Sequence, residues 1–149
     1  MSFTQTYPQR FGKYILLAPL TKGGMGELHL AYSGQKDLKK LCVIKTILGH
    51  LADEEFVNRF VDEAKVVIKL SHSNLVQVFD AGYVEDELYI TMEYVEGCDL
   101  RDIFLRCQKK QQPIPLEVGL FVTMQICHGL DYAHNYGDLK LVHRDICPS

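Results

Sequence analysis

The 149-residue sequence predicts an α+β fold, and three observations carry that prediction. Up to Ile47 the apolar residues alternate or run in short β-rich stretches, whereas from Asp53 to Leu70 they recur at intervals of three and four. Two more strand-like runs follow, and beyond Gly97 the apolar spacing is helical. The expected architecture is a five-stranded antiparallel sheet with one helix, followed by the first helices of a second, helical part.

Residues 1–12 read as a polar lead-in. Tyr14 to Leu20 and Leu28 to Tyr32 form strands flanking the turn Gly23-Gly24-Met25-Gly26, and Leu41 to Ile47 is a third strand after the turn residues Ser33 to Asp37. In the helix Asp53–Leu70, the residues Phe56, Val57, Phe60, Val61, Ala64, Val67 and Ile68 make one apolar face. Leu75 to Phe79 and Leu88 to Tyr94 form a hairpin around a turn region from Asp80 to Asp86. Gly97 ends the last strand, and Asp99 caps a helix reaching about Lys110. Pro113 and Pro115 interrupt the chain before a long helix from Leu116 to His134, whose apolar surface is too broad for a single stripe. A boundary is expected near Val95 to Cys98, dividing the chain into 13–95 and 96–149.

A hydrophobic content of 47% supports a real core, in one domain or two small lobes. A net charge of −3 and a longest basic cluster, Lys36 to Lys40, that includes Asp37 argue against a nucleic-acid partner. Five cysteines without a Cys-x-x-Cys pair or zinc spacing fit reduced thiols and a cytoplasmic setting. The polar start offers no signal-peptide core, and no apolar run has membrane-spanning length.

Four features have chemical content. The glycines of Thr21-Lys22-Gly23-Gly24-Met25-Gly26 let backbone amides approach phosphate, although such a turn is also an ordinary flexible hairpin. Lys45 ends the apolar run Cys42-Val43-Ile44, where an ammonium either meets a partner or snorkels to water. Glu63 lies between Phe60 and Ala64, either facing the sheet and Lys45 or solvated on the helix. Asp145, in His143-Arg144-Asp145, is a candidate proton acceptor. His72, alone after a helix, reads as a cap or turn residue rather than an acid–base group.

In this order, with the segment Met92-Glu93-Tyr94-Val95-Glu96-Gly97 between Glu63 and Asp145, these residues resemble the signature set of protein kinases. The spelling Gly-Gly-Met-Gly-Glu, with Arg59-Phe60 before Glu63 and Leu70-Ser71-His72 after it, is most similar to bacterial serine/threonine kinases of the eukaryotic type. The resemblance implies a protein-kinase-like fold and transfer of the ATP γ-phosphate to a protein hydroxyl, with Mg2+. It implies that Leu20, Leu28 and Val43 enclose the adenine, that Met92 guards the back of its pocket, and that the Glu93 and Val95 backbones bond its edge. Asp99 would meet the ribose, Gly23, Gly24 and Gly26 would cover the phosphates, and Lys45 would hold them with Glu63 fixing its ammonium. Asp145 would orient the substrate hydroxyl.

Thr21 stands where the family has its first loop glycine, and Cys147 where serine/threonine kinases carry a lysine. These departures keep open a pseudokinase, or a non-catalytic nucleotide-binding or interaction module. The resemblance also places the Mg2+ ligands beyond Ser149, so the 149 residues alone are expected to be inactive, with the outer face of the long helix uncovered.

Overall fold

A computed structural model describes residues 6–23, 26–34, 39–47, 54–85, 87–137, 142–143 and 146–147, and of residues 54–56, 59 and 63 the backbone alone. Its elements are β1 (Gln9–Phe11), β2 (Tyr14–Gly23), β3 (Gly26–Ser33), β4 (Lys40–Ile47), α1 (Glu54–Val67), β5 (Val78–Val84), β6 (Glu87–Glu93), α2 (Leu100–Lys109) and α3 (Leu116–His134). They belong to two compact units, one of residues 1–71 and 76–94 and one of residues 72–75 and 95–149.

The first unit is an antiparallel sheet in the order β1-β2-β3-β4-β6-β5, with α1 packed against β5. Six strands are present where five were expected, because Gln9-Arg10-Phe11 pairs with Leu16, Ile15 and Tyr14. A three-residue edge strand has too little sequence to show a period, and its stability comes from the pairing and from burial of Phe11. The fourth expected strand is also displaced. Strand β5 starts at Val78 and runs through Asp80, Gly82 and Val84, the region expected to be a turn. A register shift between Val78 and Asp80 absorbs one residue, after which Asp80 pairs with Thr91.

Directly paired residues of an antiparallel ladder share a face. Ile44, His29 and Thr91 are one such row, and Cys42 with Ala31 another; both are buried. On this face lies the core of Phe11, Tyr14, Leu16, Ala31, Cys42, Ile44 and Tyr89. Tyr89 meets Phe11 and Tyr14 edge-on, with ring centroids 5.7 and 5.6 Å apart.

In the second unit, the Asp99 carboxylate caps α2 by accepting from the Asp102 N–H at 2.7 Å. Helix α3 has the bounds the sequence implies, with Pro115 at its N-cap. Segment 72–75 lies on α3: His72 stacks on Tyr132 at 5.0 Å, and the Asn74 amide donates to Gln125 at 3.1 Å. The His72 Nδ1 accepts from the Asn74 N–H, so its turn role holds. A Cβ on Gly129 would lie 3.1 Å from the Asn74 carbonyl oxygen, so the segment and the helix approach closely there. Leu116, Val118, Leu120, Phe121 and Met124 of α3 are exposed. Among the described residues, no helix is long and apolar enough to cross a membrane.

Candidate functional site

Alternation along β4 decides where Lys45 points. Cys42, Ile44 and Thr46 enter the core, which sends Val43 and Lys45 to the opposite face. The ladder extends that face across three strands: Lys45 pairs with Leu28 and Ile90, and Val43 with Leu30 and Met92. Four of the residues singled out in the sequence, Leu28, Val43, Lys45 and Met92, are therefore brought together on one side of the sheet. Val43 is buried, Leu28 and Met92 are half-buried, and Lys45 is exposed. An ammonium at the end of an apolar strip is what an anionic ligand with a flat apolar group requires.

The glycine turn closes the β2–β3 hairpin at the end of this face. Gly23 pairs with Gly26, and Gly26 pairs in turn with Ile47 of β4. Gly26 has φ +154°, and a Cβ there would overlap the Thr46 carbonyl oxygen. The hairpin base is thus pressed onto the β4 backbone at a point where only glycine fits. Gly26→Ala is expected to force the strands apart, lowering stability by about 1–3 kcal/mol. Thermal melts of the full-length protein check this, and an unchanged melting temperature would contradict the close approach. Leu20 sits at the register shift between Pro19 and Thr21 and is 46% exposed.

Two interactions span the hairpin base. The Lys22 ammonium pairs with the Glu27 carboxylate at 2.5 Å, and the Thr46 hydroxyl donates to the Glu27 carbonyl at 3.5 Å. Glu27 was not singled out in the sequence, although its position directly after the glycines could have drawn attention to it.

Helix α1 carries the Glu63 backbone, one residue before buried Ala64, while its side chain lies outside what the structure describes. Gly24 and Asp145 also lie outside the described residues. At the end of β6, the Glu93 N–H donates to the Gln77 carbonyl at 2.9 Å. Val95 follows in the second unit and is 62% exposed. Asp99 is engaged through Oδ1 by its capping bond.

None of the five cysteines forms a disulfide. Burial pushes the Cys42 thiol up in pKa, against the pull of Lys40, and its sulfur contacts the Ala31 carbonyl, so it acts as a small core residue.

Comparison with known proteins places this arrangement. A model of the protein kinase domain matches residues 14–149. The chain is 38% identical over 148 residues to the tyrosine-protein kinase MasK of Myxococcus xanthus, covering 95% of this chain and 23% of that protein. It is 40% identical over 144 residues to the serine/threonine-protein kinase PksC of Streptomyces coelicolor, covering 92% of this chain and 25% of that one. The crystal structure of the Mycobacterium tuberculosis PknI kinase domain superposes with a TM-score of 0.77 at 28% identity, over 97% of this chain and 56% of that domain. The chain thus spans about a quarter of the length of these two curated relatives. With the glycine hairpin, the strand lysine and the sheet order in place, the chain belongs to the protein kinase domain family.

Proposed function

We propose that the full-length protein transfers the γ-phosphate of ATP to serine or threonine hydroxyls of protein substrates in the cytoplasm. The observation that carries this reading is the shared face of Leu28, Val43, Lys45 and Met92 beside a glycine hairpin seated directly on the neighbouring backbone. In this reading the apolar residues, with Leu20, enclose the adenine, and the backbones of Glu93 and Val95 bond its edge. Asp99 meets the ribose through the oxygen that does not cap α2. Gly23, Gly24 and Gly26 bring backbone amides to the phosphates, and Lys45, held by Glu63, neutralises their charge. Asp145 orients the acceptor hydroxyl and accepts its proton.

Mg2+ would bridge the phosphates and offset the charge that develops in transfer. None of its ligands is assigned to these 149 residues, which contain no Asp-Phe-Gly. By themselves they are therefore proposed to be inactive in transfer.

The test is incubation of the full-length protein with Mg2+ and γ-labelled ATP, followed by phosphoamino-acid analysis. Phosphoserine or phosphothreonine is expected. Phosphotyrosine alone would move the protein toward the activity named for MasK, to which it is 38% identical. Nucleotide binding without transfer would favour the pseudokinase reading, for which Thr21 and Cys147 are the motivating residues.

A further inference from the structure

The family region begins at Tyr14, yet the described chain ahead of it reaches His29 on β3, three residues beyond Gly26. Strand β1 is fixed by its pairing with β2 and by burial of Phe11, and Tyr7 packs against the core that contains Phe11. From there the Tyr7 hydroxyl meets Nδ1 of His29 at 3.1 Å. His29, on β3, is only 2% exposed, and its Nε2 lies 3.6 Å from the Glu27 carboxylate. Glu27 in turn is paired with Lys22 across the last rung but one before the turn.

The chemistry of the partners bears on the proton arrangement. With the imidazole proton on Nε2, toward the negative charge of Glu27, the neutral ring's Nδ1 accepts from the Tyr7 hydroxyl; the opposite tautomer reverses that bond. Burial holds the His29 pKa below the ordinary value against the opposing pull of Glu27, consistent with a neutral ring near pH 7. At 3.6 Å the His29–Glu27 approach is electrostatic rather than a hydrogen bond.

The Lys22 ammonium is 81% exposed, and such a surface pair alone does little to fix a geometry. The Glu27 carboxylate is only 16% exposed, and the buried His29 ring lies beside it at 3.6 Å. We propose that the segment ahead of the family region is a latch on the nucleotide hairpin, with Tyr7 and His29 as positioning residues that act through Glu27 and Lys22. This rests on the nucleotide reading of the hairpin given above. Its consequence is that a hydroxyl on the far side of the sheet's edge tunes ATP affinity without touching ATP.

The experiment compares the full-length protein with Tyr7→Phe, Glu27→Gln and the double variant, measuring the ATP dissociation constant, kcat and Tm. Tyr7→Phe is expected to weaken ATP binding about three- to tenfold, the size of one hydrogen bond, with kcat within about twofold. Because both residues act along one chain of contacts, the double variant should be no weaker than the weaker single variant. Unaltered ATP affinity in Tyr7→Phe, or losses that multiply in the double variant, would overturn the latch. So would a loss of affinity that merely follows a loss of Tm. If the unsubstituted protein binds no ATP, the nucleotide reading fails and takes the latch with it. If it binds ATP and Tyr7→Phe binds equally well, the latch alone fails.

Discussion

In the full-length protein, Lys45→Met is expected to reduce γ-phosphate transfer by about 10²–10³-fold, the typical cost of removing one preorganised group that stabilises transition-state charge. The strand geometry explains why the effect should fall on chemistry. Lys45 leaves the sheet on the face opposite the core, at the end of a strip formed by Leu28, Val43 and Met92. Its ammonium is exposed, so its removal leaves no buried charge uncompensated, and Tm should stay within a few degrees. Lys45→Arg is the sharper control. It keeps the charge but replaces a compact ammonium with a longer planar fork, and should recover only a small part of the activity. Label transfer measured at saturating ATP separates loss of chemistry from loss of binding. Activity within about threefold of the unsubstituted protein would remove Lys45 from the proposed mechanism.

Lys45 was also the most legible part of the site. A strand pattern with period two fixes the face of each side chain, so Cys42-Val43-Ile44-Lys45 puts Lys45 on the face opposite Ile44, while the sequence alone left open whether its ammonium meets a partner or snorkels to water. Helices α2 and α3 were equally readable, because Asp99 and the prolines at 113 and 115 mark their starts and the apolar spacing marks their course. What local sequence could not show depends on partners far along the chain. Strand β1 exists through three pairings with β2. His29 sits in a β3 pattern that looks like an exposed alternation, yet it is buried on the core face and meets Tyr7 from 22 residues away. Asp80 and Gly82 looked like turn residues, since both are rare in strands. Their strand is possible because the Asp80 carboxylate has donors waiting on other strands.

That carboxylate supports the second large effect. Asp80 Oδ2 accepts from the Tyr14 hydroxyl at 2.7 Å and from the Tyr89 hydroxyl at 3.1 Å, and pairs with Lys13 at 2.6 Å. Its Oδ1 accepts from the Ala81 N–H at 3.0 Å. Tyr14 and Tyr89 are core residues at 2% and 7% exposure, so Asp80→Ala would leave two largely buried hydroxyls without this acceptor. The expected loss is about 3–5 kcal/mol, because an unsatisfied buried donor costs more than the net worth of the bond it lost. For a domain of this size that corresponds to a fall in Tm of about 10 °C. Asp80→Asn retains the shape and one acceptor oxygen, and should cost less than half as much. The pH dependence gives an independent check. Burial pushes the Asp80 carboxyl up, but the bonds from Lys13, Tyr14 and Tyr89 outweigh it and hold it below the ordinary carboxylate value. A depressed folded-state pKa stabilises above the unfolded value of 3.8, and that contribution disappears as pH falls through the folded value. At the other extreme, burial first and then the bond to Asp80 raise Tyr14 to about 12, overcoming the opposing effect of Thr91. Its contribution is intact below the unfolded value of 10.0 and is lost as pH rises toward 12. Asp80→Asn should therefore flatten the acid limb of the stability profile below about pH 4. An acid limb identical to that of the unsubstituted protein, together with a Tm within about 2 °C of it for Asp80→Ala, would show that the two tyrosines do not depend on this carboxylate.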